Sequence, residues 1–416
     1  MKSKEQLLIF ILASIMLIFT EYAIPQIWTQ QNSGTLFHLN SVIFINHNQG
    51  FIAGNGGTIL HSTDGGNNWN IQNSGVTNNL QKILFLNDSL GWCAGFNGVI
   101  LNTTNRGSSW EIQNINSGYN LYSIFFLNAD TGWACGSQGK FLKTSDGGNT
   151  WIETTIDHPV VGIRQLNDLH FDDQNIGWIV ANGFIIYYTT DGGNNWALNF
   201  GGGAGYNIKS ITRTTNHLYL CGNEIPNMIF KSDGGNVWYH INGTDYITNS
   251  IFFIDDFQGW VVGENGNISH TSIGGDNWWS QQLNVGSNLN EVFFIDDTIG
   301  WAVGDNGTIL HTDEGNLVSI KQSQDEVDIE DFKLSQNYPN PFNPTATIKY
   351  NLPQSSVVSI QIFNSLGEKI KTLYSGLQIS GSHEIVFDGS SLPSGIYFYQ
   401  ITTRNFTQTK KCLLLK

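Results

Sequence analysis

Positive charge is scarce in this chain. Nineteen Lys and Arg stand against 34 Asp and Glu in 416 residues, a net charge of −15. Between residues 27 and 317 the only arginines are Arg106, Arg164 and Arg213. Phosphate backbones are bound by clustered cations, so nucleic acid is excluded as a partner. The acidic balance favours solubility outside a cell. Cysteine is also rare: Cys93, Cys135, Cys221 and Cys412 are the only four. Cys93 and Cys135 are offset by one residue within their repeats, which puts them on opposite faces of their strands. The four are expected to be small buried residues without disulfides. Long apolar runs are missing but for residues 7–19, which follow Lys2 and Lys4. Thirteen uncharged residues are short for a membrane span and fit a secretory signal over residues 1–26. No cysteine lies near that segment, which argues against a lipid anchor.

What the chain has in quantity is glycine, 46 residues, and aromatic side chains, 12% of the total. With only 13% charged residues, this is the profile of an all-β protein with many turns. One phrase recurs. Asp-Gly-Gly-Asn-Asn-Trp closes at Trp69, and related phrases close at Trp110, Trp151, Trp196, Trp238 and Trp278, spaced 41, 41, 45, 42 and 40 residues apart. A period in this range marks a repeat architecture. The copy at 292–312 shows three short strand patterns separated by Gly, Asn and Asp turns. Other copies add a fourth after the Trp, as at 69–73. Four strands per repeat of about 41 residues is a propeller blade.

A second-strand motif falls at Gly50-Phe51, Gly91-Trp92, Gly132-Trp133, Gly177-Trp178, Gly259-Trp260 and Gly300-Trp301, with a degenerate copy at 218–222. That makes seven blades over residues 27–317. The seventh copy stops near Leu317 without its Trp or fourth strand. Residues 28–34, Trp-Thr-Gln-Gln-Asn-Ser-Gly, match residues 69–75, Trp-Asn-Ile-Gln-Asn-Ser-Gly. The N-terminal strand is therefore expected to complete the last blade and close the ring, leaving no blade with an unpaired edge.

The segments at 62–69 and 145–151 resemble the Asp-box, or BNR repeat. With Gly-Trp upstream, the unit is similar to the propellers of the photosystem II stability and assembly factor family. Read from the residues alone, Asp64, Asp146, Asp191 and Asp233 begin turns and accept backbone amides. Trp69, Trp151, Trp196 and Trp238 open the fourth strand and cover the blade edge. These eight are expected to be architectural, the alternative being a ligand rim of Asp and Trp. Asp-box propellers include sialidases and xyloglucan-active glycosidases. A sialidase-like site needs an arginine cluster, which three scattered arginines do not make. Acid–base hydrolysis needs two facing carboxylates. The adjacent pairs Asp172-Asp173, Asp255-Asp256 and Asp296-Asp297 sit at one equivalent turn, which points to turn chemistry. His61, His270 and His311 share one third-strand position, so repeat equivalence explains them better than metal ligation. No catalytic residue, cofactor or metal site is assigned, and no spaced calcium-loop motif is present.

After residue 317 the pattern changes. Residues 318–333 are polar and acidic and read as a linker. Residues 334–416 alternate as strands of a small Ig-like β-sandwich. They open on Asn337-Tyr338-Pro339-Asn340-Pro341-Phe342-Asn343-Pro344, whose prolines make it rigid and extended. With the turn at Gly367, the Gly395-Ile396-Tyr397 run and a basic tail ending in Lys416, these residues resemble the C-terminal sorting domain of the type IX (Por) secretion system. That resemblance implies export by the type IX machinery to the surface of a Gram-negative bacterium of the Bacteroidetes–Chlorobi group, with membrane contact only during export or anchoring. The expected function is non-catalytic binding of an extracellular protein or polysaccharide. A secreted glycoside hydrolase is the alternative, and a photosystem assembly role follows from the family name only.

Overall fold

A computed structural model describes residues 28–113, 118–201, 206–223, 226, 228–241, 243–281, 285–315, 332–352, 356–378, 381–403 and 406–416. The signal reading of 1–26 and nearly all of the linker reading of 318–333 lie outside them. The chain divides into two compact units, Met1–Ser319 and Ile320–Lys416. No helix among the described residues is long and apolar enough to cross a membrane.

The first unit contains seven four-stranded antiparallel sheets. Six are built from consecutive strands. The innermost strands of blades one to seven are Leu39–Phe44, Leu80–Phe85, Leu121–Phe126, Leu166–Phe171, Asn207–Arg213, Thr248–Phe253 and Leu289–Phe294. The seventh sheet takes its outer strand from the start of the chain: Thr29–Gln31 pairs with Ile309–Thr312, Thr29 opposite His311 and Gln31 opposite Ile309. The long 45-residue step between Trp151 and Trp196 has a local cause. A small extra hairpin, Asp157–His158 with Gly162–Ile163, is inserted between blades three and four.

The Gly-Trp motif exists because blades must approach closely. In six blades the inner strand ends in a Phe that lies against the Gly opening the second strand. A Cβ at Gly50 would meet the Phe44 ring at 2.4 Å, and one at Gly300 the Phe294 ring at 2.5 Å. No side chain fits in so dense a layer. The same Phe rings are stacked by the motif aromatic of the preceding blade. Trp301 lies 3.4 Å from Phe44, Trp92 3.6 Å from Phe126, Trp133 3.7 Å from Phe171 and Trp260 3.6 Å from Phe294. The Asp-box Trp meets its own blade's Phe edge-on, as Trp69 does Phe44 at 5.7 Å and Trp151 does Phe126 at 5.8 Å. The core is thus a series of clusters, each shared by neighbouring blades. Cys93 packs toward blade one beside Phe51 and Ala53, and Cys135 toward blade four beside Leu166 and Phe171. All four cysteines are free and buried.

The three histidines serve this packing. His61 stacks on Phe51 at 4.3 Å, His270 on Trp260 at 4.9 Å, and His311 lies 5.0 Å from Trp301. Burial lowers all three, His270 to about 3. An unfolded His titrates near 6.5. As pH falls below that value the unfolded chain takes up protons that buried His270 refuses, so stability drops between about pH 6.5 and 3. The His270 share reaches about 3–5 kcal/mol at the acid end of that window. Urea midpoints measured from pH 7 to pH 4 are expected to fall more steeply for the natural chain than for His270→Asn. Equal slopes would remove His270 from the account.

The second unit is an Ig-like sandwich. One sheet pairs Thr345–Leu352 with Lys333–Leu334 and Gly381–Asp388, and the other orders Lys369–Gln378, Ser356–Phe363, Gly395–Thr402 and Thr407–Leu414. Ile348, Tyr350, Val358, Ile360, Tyr399 and Ile401 fill its core. Lys369–Gln378 stays paired with Ser356–Phe363 through Ser375 and Gly376, which lie opposite Ser359 and Val358.

Candidate functional site

The seven inner strands surround a central channel. In every blade the pairing of the first strand with the second skips one residue near its start. Such a bulge re-aims a side chain. The skipped residues are Asn40, Gln81, Tyr122, Asn167, Lys209, Asn249 and Asn290, and all seven line one cavity of about 280 Å³. Lys82, Gln165, Asp168, Ser210, Ser250 and Glu291 complete its wall.

Much of this ring holds the blades together. Four of the bulge asparagines donate their Nδ2 to the backbone oxygen that begins the next blade. Asn40 reaches Leu80 O at 2.7 Å, Asn167 reaches Ile208 O at 2.6 Å, Asn249 reaches Leu289 O at 2.9 Å, and Asn290 reaches Leu39 O at 2.9 Å. The residues just after the bulges accept amides from the next blade. Ser41 Oγ accepts Ile83 N at 3.1 Å, Asp168 Oδ2 accepts Ile211 N at 3.0 Å, and Glu291 Oε2 accepts Val42 N at 2.6 Å. Asp168 Oδ1 also takes the Ser123 hydroxyl at 2.7 Å and Leu169 N at 3.0 Å. Lys82 is ion-paired with Glu291. Burial alone would lower the Lys82 ammonium, but Glu291 and Asp168 outweigh it, so Lys82 is raised and stays charged.

The Asp-boxes lie at the other end of the blades. Gly65 N donates to Asn48 O at 2.9 Å, in the turn joining the first two strands of blade one. The bulge sits near the opposite end of that six-residue first strand, about 15 Å away at 3.3 Å per residue. Asp64 Oδ1 accepts Asn68 N at 2.9 Å and Oδ2 accepts Asn68 Nδ2 at 2.7 Å. Asp146 accepts Thr150 N at 2.8 Å and its hydroxyl at 2.6 Å, and Asp191 accepts Asn195 N at 2.8 Å and Nδ2 at 2.7 Å. These bonds hold all three carboxyls below the usual range. Asp233 differs, because its own turn is one residue shorter. Gly235 N donates to Ser232 Oγ three residues back, whereas Gly66 N reaches Ser62 four back. Asp233 instead pairs with His217 Nδ1 at 2.8 Å and is largely exposed. The expectation that it points into its own turn does not hold. Trp69, Trp151 and Trp238 donate Nε1 to Gln31, Gln113 and Asn199 on the outer strand of the preceding blade. Trp196 packs edge-on against Phe171 at 6.1 Å. Thr144 is the buried hinge of the third box, accepting Gly148 N at 2.9 Å. Thr144→Val leaves that amide unpaired and is expected to cost about 1–3 kcal/mol, read from a urea titration.

The acidic pairs are engaged in turns. Asp173, Asp255 and Asp296 each accept two backbone amides through Oδ1, as Asn46, Asn87 and Asn128 do at the same place in other blades. The pair at 172–173 is shifted by one: its second member holds the turn, and Asp172 meets His170 and Arg213, each at 3.2 Å. Asp256 reaches across to blade five, where Thr214 and Asn216 donate to it. Backbone bonds lower Asp173, and hydrogen bonds lower Asp256 and Asp296 against the opposing effect of burial. A general acid must be raised. No group of three or more His, Cys, Asp or Glu able to hold a metal occurs among the described residues.

In the second unit the Asn-Pro segment is not extended throughout, as its prolines led one to expect: it bends at 339–341 and 343–344 and folds onto the last strand. Phe342 is buried, its N donates to Leu413 O at 2.9 Å, and its O accepts Leu415 N at 3.0 Å. Asn340 Oδ1 accepts Leu413 N at 2.9 Å. Pro339 O accepts Asn337 Nδ2 at 2.8 Å, and Pro344 O accepts Gly389 N at 2.8 Å. Pro341 and Asn343 flank Phe342, and Tyr338 is 81% exposed. Gly367 turns with φ +81°, Gly395 opens a strand opposite Leu414, and buried Tyr397 donates to Pro393 O at 2.9 Å. Lys416 closes on Ser394 Oγ at 2.9 Å and Ser390 O at 2.6 Å.

The family model described as Photosynthesis system II assembly factor YCF48 matches residues 21–104 and 102–200, and that described as Secretion system C-terminal sorting domain matches 336–415. No curated protein is significantly similar in sequence. Among solved structures, YCF48 bound to D1 peptide is 18% identical with a TM-score of 0.57, covering 69% of this chain and 96% of that one. PorZ, a surface component of the type IX secretion system of Porphyromonas gingivalis, is 13% identical with a TM-score of 0.51, covering 89% and 58%. An ancestral GH74 enzyme is 14% identical with a TM-score of 0.55, covering 92% and 63%. These likenesses concern the fold. The sorting domain directs export through the type IX machinery, so the protein is secreted or held at the surface. The chain is thus a β-propeller whose residues 21–200 match the YCF48-type repeat model, followed by residues 336–415 that match the secretion system C-terminal sorting domain.

Proposed function

We propose that this chain is an exported propeller that binds an extracellular protein or polysaccharide without catalysis, at the face where the bulges open the central channel. One observation carries the reading. The channel carboxylates, Asp168 and Glu291, are tied to backbone amides of the next blade, which leaves no free acid and base facing each other, while a polar cavity stays open beside them. Seven of the eight Asp-box residues hold turns or blade contacts at the opposite end, and Asp233 pairs with His217 instead. The relative bound to a peptide supports binding as a use of this fold. A photosystem role has only the family name behind it, and the export address points elsewhere. Residues 1–26 would supply passage across the inner membrane and 334–416 passage across the outer one. Purified full chain is expected to release no reducing ends from xyloglucan or sialosides. Release that disappears in Asp168→Asn or Glu291→Gln would make the protein a glycosidase instead.

A further inference from the structure

We propose that the channel mouth takes a neutral, polyhydroxylated ligand the size of one or two sugar rings, such as the end of an uncharged glycan. This rests on the binding reading above. The repeat supplies its own control. Where the bulge residue is Asn, the side chain clamps the next blade. Blades two, three and five carry Gln81, Tyr122 and Lys209 there. Among the described residues, Gln81 Nε2 reaches only its own blade's Leu80 O, at 3.5 Å. The Tyr122 ring leans edge-on against Phe96 at 5.8 Å, and its hydroxyl makes no hydrogen bond among the described residues. Tyr122 and Gln81 thus forgo a clamp that Asn would make, and both line the cavity.

The chemistry of the wall selects the ligand. Two cations, Lys82 and Lys209, face two carboxylates, Asp168 and Glu291, so the lining is balanced. Glu291 is taken by Lys82 and Asp168 by Ser123 and two amides. Around them stand amides and hydroxyls of Gln81, Tyr122, Ser210 and Ser250, which both donate and accept, as sugar hydroxyls do. An anionic ligand calls for cations in excess, with bidentate geometry. An extended peptide calls for an open strand edge or an apolar groove. The cavity volume, about 280 Å³, lies just under the roughly 300–1,000 Å³ of drug-sized ligand sites, as suits a small ligand.

The test uses the full chain, with titration calorimetry against glucose-, galactose- and mannose-terminated neutral oligosaccharides, uronate-containing oligosaccharides and extended peptides. Gln81→Asn and Tyr122→Asn rebuild the clamp. They are expected to melt no lower than the natural chain while binding the neutral sugar at least tenfold more weakly. Neutral-sugar binding that both variants retain overturns the assignment of the site. Binding of uronates or peptides that both variants abolish overturns the ligand class and leaves the binding reading standing. Binding of some other partner, with no neutral sugar bound, likewise overturns only this inference. If neither these ligands nor any surface polysaccharide or protein binds, both readings fail.

Discussion

Removing residues 28–34 is expected to abolish the cooperative fold of the propeller. Trp28 is fully buried, meets Phe294 edge-on at 5.7 Å and donates Nε1 to Gln281 at 2.9 Å. Gln31 then accepts the Nε1 of Trp69, in blade one, at 3.2 Å. Residues 28–31 therefore join blades six, seven and one. Trp28→Ala alone should cost about 3–5 kcal/mol, from lost burial and the cavity left behind. Native domains are stable by roughly 5–15 kcal/mol, so that single change consumes a large fraction. The deletion adds the loss of the pairing with Ile309–Thr312, leaving an open strand edge that invites association with another chain. Gln30→Ala, on the exposed face of the same strand, should stay within about 0.5 kcal/mol. Urea denaturation followed by Trp fluorescence gives the comparison. A deletion variant with the midpoint of Gln30→Ala would mean that the ring does not depend on this strand.

The ring was legible in the sequence because its packing leaves few choices of residue. A Gly is required where the Phe44 or Phe294 ring lies against the backbone, and an aromatic residue where the next blade stacks on it, so both recur at fixed spacing. The match of residues 28–34 to 69–75 reflects one slot being filled by two distant segments. The channel was not legible for the opposite reason. Its lining comes from one or two residues of each of seven repeats, and a bulge displaces them from simple strand alternation. Attention to the strongest motif leads to the Asp-boxes, at the far end of the blades. A signal was nevertheless present: the residue after the first Leu of the inner strand is Asn in Asn40, Asn167 and Asn290 but Gln in Gln81 and Tyr in Tyr122. Asp233 shows the limit of motif reading. Its Asp-Gly-Gly and Trp are intact, and the missing residue lies before them, where the strand ends at Ser232.

The same separation between motif and fold governs the last and largest expected effect, on location. Residues 334–416 carry their own core, and the seventh blade takes its outer strand from Thr29–Gln31. Truncation before residue 334 should therefore leave a propeller with unchanged urea midpoint that accumulates in the periplasm of a host with the type IX machinery. Fusing 334–416 to an unrelated periplasmic reporter should bring the reporter to the surface. Two substitutions separate the fold of this unit from its reading by the machinery. Phe342→Ala removes a buried ring held between Leu413 and Leu415; it should destabilise the sandwich by about 3–5 kcal/mol and lower surface delivery. Tyr338→Ala removes an exposed ring and should leave stability within about 0.5 kcal/mol, so any loss of surface delivery in that variant reports recognition itself. Protease accessibility on intact cells, set against periplasmic extracts, distinguishes the outcomes. A truncated chain found at the surface, or a fused reporter kept inside, would make the C-terminal sandwich an adhesion module rather than an address.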